Sequence, residues 1–251
     1  MKKENNIKKL VLVFTTFFCL LLIIFLKPFY RVNDRVEQLE SYSSEHDSSE
    51  PLGWLIVQGT NIDFPIFYYD DLEDASDPTF DLGWNYNNKK YANRLVILSH
   101  NVLNVSSKPL ITNKDHRRFE QLMSFIYYDF VKKNKYIQYT TKGKNYLYKI
   151  YAISIQKEDT LNLGNISKKE IVKYSNDMKD KSYFKFDVDV DKNDKLITLV
   201  TCTRFFENKE YSFVIDARRV RKNESIHNYS TRKTKRYDKI EKKLKGDDTN
   251  E

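Results

Sequence analysis

Glycine, proline and cysteine are all scarce in this 251-residue chain: six, five and two, respectively. So few glycines leave little material for phosphate-cradling loops, and neither a G-x-G-x-x-G nor a Walker-type run occurs. One cysteine, Cys19, lies in an apolar N-terminal segment and the other, Cys202, lies far downstream, so no disulfide framework can staple the soluble part. The histidines (His46, His100, His116, His227) are too scattered to suggest a metal site, and no cofactor is expected. Internal repeats are absent. Long apolar runs are missing too, with one exception. Leu10 to Leu26 carries no charge and sits between Lys2, Lys3, Lys8, Lys9 and Lys27.

That run is just long enough for a membrane-spanning helix. A cleaved signal peptide is the alternative, but the downstream flank Lys27-Pro-Phe-Tyr-Arg31 lacks the small residues that a signal peptidase needs. The reading favoured is an uncleaved anchor over 10–26 in the cell membrane. The positive-inside rule then leaves 1–9 in the cytoplasm and everything after the anchor outside. A net charge of +8 points to an anionic environment. With the bulk of the chain outside the cell, that means wall polymers or lipid headgroups and not nucleic acid.

Residues 27–50 read as a short helix and a Ser-rich linker, with Val32, Val36 and Leu39 at helical spacing. A globular domain is expected over 51–220. Pro51 to Phe67 looks like two strands around a Gly turn, and Asp70 to Asn88 like a long surface loop. Arg94-Leu-Val-Ile-Leu-Ser-His100 reads as a buried strand ending on histidine. Asp115 to Lys132 carries Phe119, Leu122, Met123, Phe125 and Ile126 at helical period, with Asp115 as a candidate cap. Strands follow at Tyr136–Tyr139 and Lys144–Ile155, then a short helix at Ser167–Asp177 capped by Ser167. Leu196–Thr201 and Tyr211–Ala217 close the domain as a strand pair. Many short strands and few helices describe a mostly β fold, a closed or nearly closed barrel with helical inserts. Residues 221–251 are rich in Lys and Arg, with almost nothing to bury, and read as a disordered tail.

Chemistry centres on Lys195-Leu-Ile-Thr-Leu-Val-Thr-Cys202-Thr-Arg204. A lone thiol at a strand end is either a small buried hydrophobe or, with a histidine from a distant strand, a nucleophile. Thr198-Leu-Val-Thr-Cys202 resembles the TLxTC signature of sortases, the membrane-anchored cysteine transpeptidases of Gram-positive bacteria, and Leu-Ser-His100-Asn resembles their strand-end histidine. Leu52-Gly-Trp-Leu-Ile-Val and Gly-Thr-Asn-Ile-Asp63-Phe-Pro-Ile66 are similar to the opening of class B members, as is a long helix after the histidine strand. The resemblance covers 51–220. It implies an eight-stranded closed barrel, with Cys202 forming a thioester with a C-terminal sorting signal and His100 as general acid and base. Its implied partners are a surface protein bearing that signal and a peptidoglycan cross-bridge amine as acceptor. Some class B-like members instead polymerise pilins through a pilin lysine. A barrel that binds sorting signals without catalysis is a third reading.

The departure lies in a third group. Sortases carry an arginine at the start of the strand after the cysteine, where Glu210, Tyr211 and Ser212 stand here, with Ser212 in the arginine's place. Arg204, two residues beyond Cys202, is the substitute expected to stabilise the oxyanion, with Lys209 and Arg218 as the other nearby cations. Thr201, Asn101 and Ser212 are expected to bind substrate, and Asn101 is either an orienter of the imidazole or a plain turn residue. Val200 replaces a serine common in the family.

Overall fold

The computed structural model describes residues 15, 32–45, 51–68, 83–85, 93–101, 119–206, 210–227 and 229–247, with backbone alone at 43–45, 68, 83–85 and 247. Apart from Thr15, the Leu10–Leu26 run lies outside them. Among the described residues no helix is long and apolar enough to cross a membrane.

The fold is mostly β with helical inserts. Its main sheet contains β1 (Gly53–Val57), β2 (Asp63–Tyr68), β3 (Gly83–Asn85), β4 (Arg94–Leu98), β5 (Tyr136–Thr141), β6 (Lys144–Lys157), β8 (Leu196–Thr203) and β9 (Tyr211–Arg219), while β7 (Phe184–Phe186) and β10 (Thr231–Lys233) form a separate pair. The order is β1-β2-β3-β4-β8-β9-β6-β5, and the sheet curls round until β1 also pairs with β5. β3 contributes only three residues to this wall. Apolar side chains from β1, β5, β6, β8 and β9, among them Leu55, Ile137, Ile153, Leu199 and Ile215, are wholly shielded from solvent. Two tight connections need glycine: Gly59 (φ 80°) between β1 and β2, and Gly143 (φ 78°) in the β5–β6 hairpin. A side chain there would meet the left-handed backbone penalty.

Helix α1 (Val36–Glu45) precedes the sheet, and Arg35 ties its start to β2 through Asp63 at 2.7 Å. The helix expected over Asp115–Lys132 is not one helix. Its first residues lie outside the described set, and the rest divides into a 3₁₀ segment at Phe119–Ile126 and α2 (Tyr128–Lys133), broken at the extended Tyr127. Every residue of the 3₁₀ segment is buried, including Glu120, Gln121 and Ser124. It therefore packs on all sides, which the one-faced apolar pattern did not suggest. The later helix α3 spans Ile171–Lys181, starting and ending four residues later than expected. Ser167 is not its N-cap residue, but the Glu170 carboxylate accepts the Ser167 N–H at 2.7 Å, one half of a capping box.

Two further expectations fail. A strand, β3, sits inside the stretch read as a surface loop, pairing with β2 in parallel and with β4 in antiparallel fashion. The basic C-terminal segment is also not a disordered tail. β10 pairs with β7 in register Thr231↔Phe186 to Lys233↔Phe184, and α4 (Tyr237–Asp247) follows. Tyr229, Tyr237 and Ile240 are buried, so three scattered hydrophobes dock a segment whose average composition is polar.

Candidate active site

The parallel pairing of β4 with β8 organises the site. Its register runs from Arg94↔Leu196 to Leu98↔Val200, and the Ser99 N–H continues it by donating to the Val200 carbonyl at 3.3 Å. Two residues beyond Leu98↔Val200 come His100 and Cys202, so both stand at the C-terminal ends of neighbouring strands, about 5 Å apart in strand spacing. Two bonds hold these ends together, and a third ties the His100 end to the 3₁₀ segment. The Thr201 hydroxyl donates to the Ser99 carbonyl at 2.7 Å, the Asn101 amide donates to the Cys202 carbonyl at 3.0 Å, and the His100 carbonyl accepts the Phe119 N–H at 3.1 Å.

Strand alternation sets which side chains can meet a ligand. Thr201 and Thr203 point into the barrel and are buried, whereas Cys202 points outward and is exposed. On the outer face Val200 clusters with Val96 and Val214, and Leu98, Leu161 and Leu163 pack against them. An apolar floor thus leads up to the thiol. On the far side of β8, Cys202 pairs with Ser212 of β9, and Ser212 pairs with Gln156 of β6.

The Cys202 side chain reaches solvent, yet the atoms packed round it desolvate the thiol and push it above its ordinary pKa; the nearby Glu158 carboxylate adds to this, and Arg204 pulls the other way. Glu158 opens a 3₁₀ turn, Glu158–Thr160, directly after β6. Arg204 is exposed just past the end of β8, and its neighbour Phe205 is buried with its N–H donated to the Thr203 hydroxyl at 3.2 Å. A thiol and an imidazole on adjacent strand ends form the arrangement of a cysteine nucleophile with a general acid and base.

Comparison with known proteins agrees with this geometry. The family model described as "Sortase domain" matches residues 55–220, well over half of the chain. The chain belongs to the sortase family. Its fold is class B-like. Sortase B of Clostridium perfringens is similar at a TM-score of 0.57 and 22% identity, over 74% of this chain and 99% of that one. Sortase B of Staphylococcus aureus gives 0.57 and 17%, over 74% and 95%. A Bacillus anthracis protein described as similar to sortase B gives 0.56 and 19%, over 77% and 86%. No curated protein sequence matches the chain.

The outer face of this sortase is covered by the long connection between β6 and β7. Within it, α3 delivers Tyr174, whose hydroxyl donates to the buried Asp216 at 2.7 Å, beside the Thr198 hydroxyl that donates to the same carboxylate at 2.7 Å. Burial raises the Asp216 carboxyl, and these two hydrogen bonds work against that rise. Arg94 lies over the Tyr174 ring at 4.3 Å and donates to the Asn162 and Gly164 carbonyls at 2.7 and 2.6 Å. The same clamp holds Leu161 and Leu163 at the apolar floor.

The structure thus brings His100, Asn101, Cys202, Arg204 and Ser212 into one neighbourhood. Thr201 is a correction: alternation turns it inward, 2% exposed, and its hydroxyl fastens β8 to β4 rather than facing a ligand. The amide of Asn101 likewise ties the strand ends together. Ser212 stands directly opposite Cys202 on β9. Arg218 pairs with Leu196 at the other end of β8, buried against Glu224 and Asp189. Lys209 lies outside the described residues. Sequence reading missed Glu158, which follows a strand whose pairing partner cannot be read from spacing, and missed the Leu161–Leu163 floor. A separate cavity of about 900 Å³, lined by residues such as Tyr128, Lys233 and Tyr237, contains none of these side chains.

Proposed function

We propose that this sortase is a cysteine transpeptidase that cleaves the C-terminal sorting signal of a surface protein and transfers the acyl group to a primary amine. The observation that carries this reading is the placement of Cys202 and His100 on adjacent strand ends within the residues matched as a sortase domain. In acylation the Cys202 thiolate attacks the scissile carbonyl, and the C–N bond breaks as the imidazolium of His100 gives its proton to the departing amine. In transfer the incoming amine forms a C–N bond with the thioester carbonyl. The C–Sγ bond then breaks with its electron pair on sulfur, and His100 takes the amine proton. Arg204 supplies the charge that balances the oxyanion, in place of the arginine that Ser212 replaces. The apolar floor of Val200, Val214, Leu98, Leu161 and Leu163 takes apolar side chains of the sorting signal.

The acceptor is an amine of the peptidoglycan cross-bridge. One of the similar structures is a sortase B complexed with triglycine, which fits such an acceptor. The departure at Ser212 favours a second reading, a pilin polymerase that uses a pilin lysine. The Leu10–Leu26 run anchors the enzyme in the cell membrane, with its N-terminus cytoplasmic and its catalytic domain outside. Mixing the protein with candidate sorting peptides and either triglycine or a lysine-bearing peptide, and weighing products by mass spectrometry, tests the reading. A ligated product supports it and identifies the acceptor. If no cleavage and no Cys202 adduct form with any peptide, the chain is a non-catalytic sorting-signal binder.

A further inference from the structure

Resting on the transpeptidase reading, we infer that Glu158 is the acceptor-side residue of this site, binding the primary ammonium group of the incoming nucleophile beside the Cys202 thioester. The sheet places it there. Gln156↔Ser212 and Ser212↔Cys202 form one straight row across β6, β9 and β8. Glu158 lies two residues past Gln156, and its N–H donates to the Glu210 carbonyl at 2.9 Å, so the pairing continues and the residue keeps the outward face of Cys202. β8 has two neighbours, β4 and β9. His100 therefore flanks the thiol from the β4 side, and Glu158 approaches from the β9–β6 side. The nucleophile stands between a proton-transfer group and a fixed negative charge.

That charge has no evident use in acylation. Its charge beside the sulfur favours the protonated thiol, the less nucleophilic form. Once the thioester has formed, the sulfur no longer carries a proton, and the carboxylate remains at its exposed position near the acylated sulfur. Both acceptors considered above, a peptide N-terminus and a lysine side chain, arrive as –NH₃⁺ and need such a partner. Held by Glu158, the ammonium loses one proton to solvent. The freed lone pair attacks the thioester carbon, the C–S bond breaks onto sulfur, and the second amine proton passes to His100.

The test uses Glu158→Gln and Glu158→Asp, with Asp159→Asn as the control for nearby surface charge. Triglycine and Nα-acetyl-lysine amide are titrated as acceptors with a sorting peptide that the wild type ligates. Glu158→Gln should raise the KM for the amine about tenfold and divert acyl-enzyme to hydrolysis, with Glu158→Asp recovering part of the loss and Asp159→Asn matching wild type. Loss with both amines marks a shared ammonium site, and loss with one alone identifies the acceptor it serves. Alkylation of Cys202 by iodoacetamide across pH gives a second readout. Its midpoint should fall in Glu158→Gln, because a charge that raises the thiol has been removed, and acylation at neutral pH should quicken. An amine KM within twofold of wild type in Glu158→Gln would overturn the inference. If the wild type forms no acyl-enzyme, the transpeptidase reading fails instead, and with it the acceptor role, while the alkylation profile still reports the Glu158 charge beside Cys202.

Discussion

Replacing Tyr229 with alanine tests whether the basic C-terminal segment belongs to the folded domain. Tyr229 is 5% exposed, and its hydroxyl donates to the Lys135 carbonyl at 2.7 Å and the Ile150 carbonyl at 3.0 Å, on β6 and at the approach to β5. Its ring meets Tyr136 edge-on at 5.7 Å and Phe186 at 6.4 Å. The Lys135 and Lys149 ammonium groups lie 5.0 and 5.6 Å from the ring centroid. Truncating a buried aromatic costs about 3–5 kcal/mol. The lost hydroxyl removes one donor shared by two carbonyls, of which that of Lys135 still accepts the Ile150 N–H, at about 1–3 kcal/mol. Taking about 5 kcal/mol in total, the unfolding midpoint of a domain this size should fall by roughly 10–20 °C. Tyr229→Phe, which keeps the ring, should lose less, about 2–12 °C. Thermal unfolding followed by circular dichroism measures both. A Tyr229→Ala midpoint within about 3 °C of wild type would show that the segment does not pack as described.

Other consequences follow from single contacts. Arg204→Ala should slow acyl-enzyme formation about 10²–10³-fold, with Arg204→Lys recovering little because the planar fork is lost; near-wild-type acylation would remove Arg204 from the site. Arg218→Ala should leave the acylation rate of folded protein unchanged, yet cost about 1–3 kcal/mol in denaturant melts, because Glu224 and the buried Asp194 lose a partner while Lys149 and Arg221 still hold them. Glu224 carries a pH signature. Burial acts to raise its carboxyl, but hydrogen bonds from Arg218, Lys149 and the Arg221 N–H outweigh that and bring it to about 2, from an ordinary 4.5. A folded-state pKa below the unfolded one contributes stability that is complete above 4.5 and lost as pH falls toward 2. Melts of Glu224→Gln and wild type should therefore differ most at neutral pH and converge over that acid range, and a constant difference would contradict the assignment.

What was legible in the sequence had strong local period or a rigid motif. β4, β5, β6, β8 and β9 alternate or run apolar over enough residues to be read directly, and the glycine between β1 and β2 marks their turn. The neighbourhood of His100 and Cys202 came from the resemblance, not from spacing, because parallel pairing between residues so far apart leaves no trace in a local window. β3 is three residues long, too short to show a period. β10 and α4 were hidden by averaging, since Tyr229, Tyr237 and Ile240 are diluted by lysines that stay in solvent. Thr201 was misassigned by proximity to Cys202, although the period of two that identified the strand also places neighbours on opposite faces. Glu158 could not be found at all without the β6–β9 register.

The most direct test of the central claim is intact-mass spectrometry of the protein after incubation with a ligatable sorting peptide, comparing wild type, Cys202→Ala and His100→Ala. Cys202→Ala removes little volume from an exposed strand end and should unfold within about 1–2 kcal/mol of wild type. The account predicts an acyl adduct on wild type that hydroxylamine releases, no adduct on Cys202→Ala, and a rate of adduct formation on folded His100→Ala lower by at least about 10²-fold. A Cys202→Ala protein that still cleaves and transfers the peptide would contradict it.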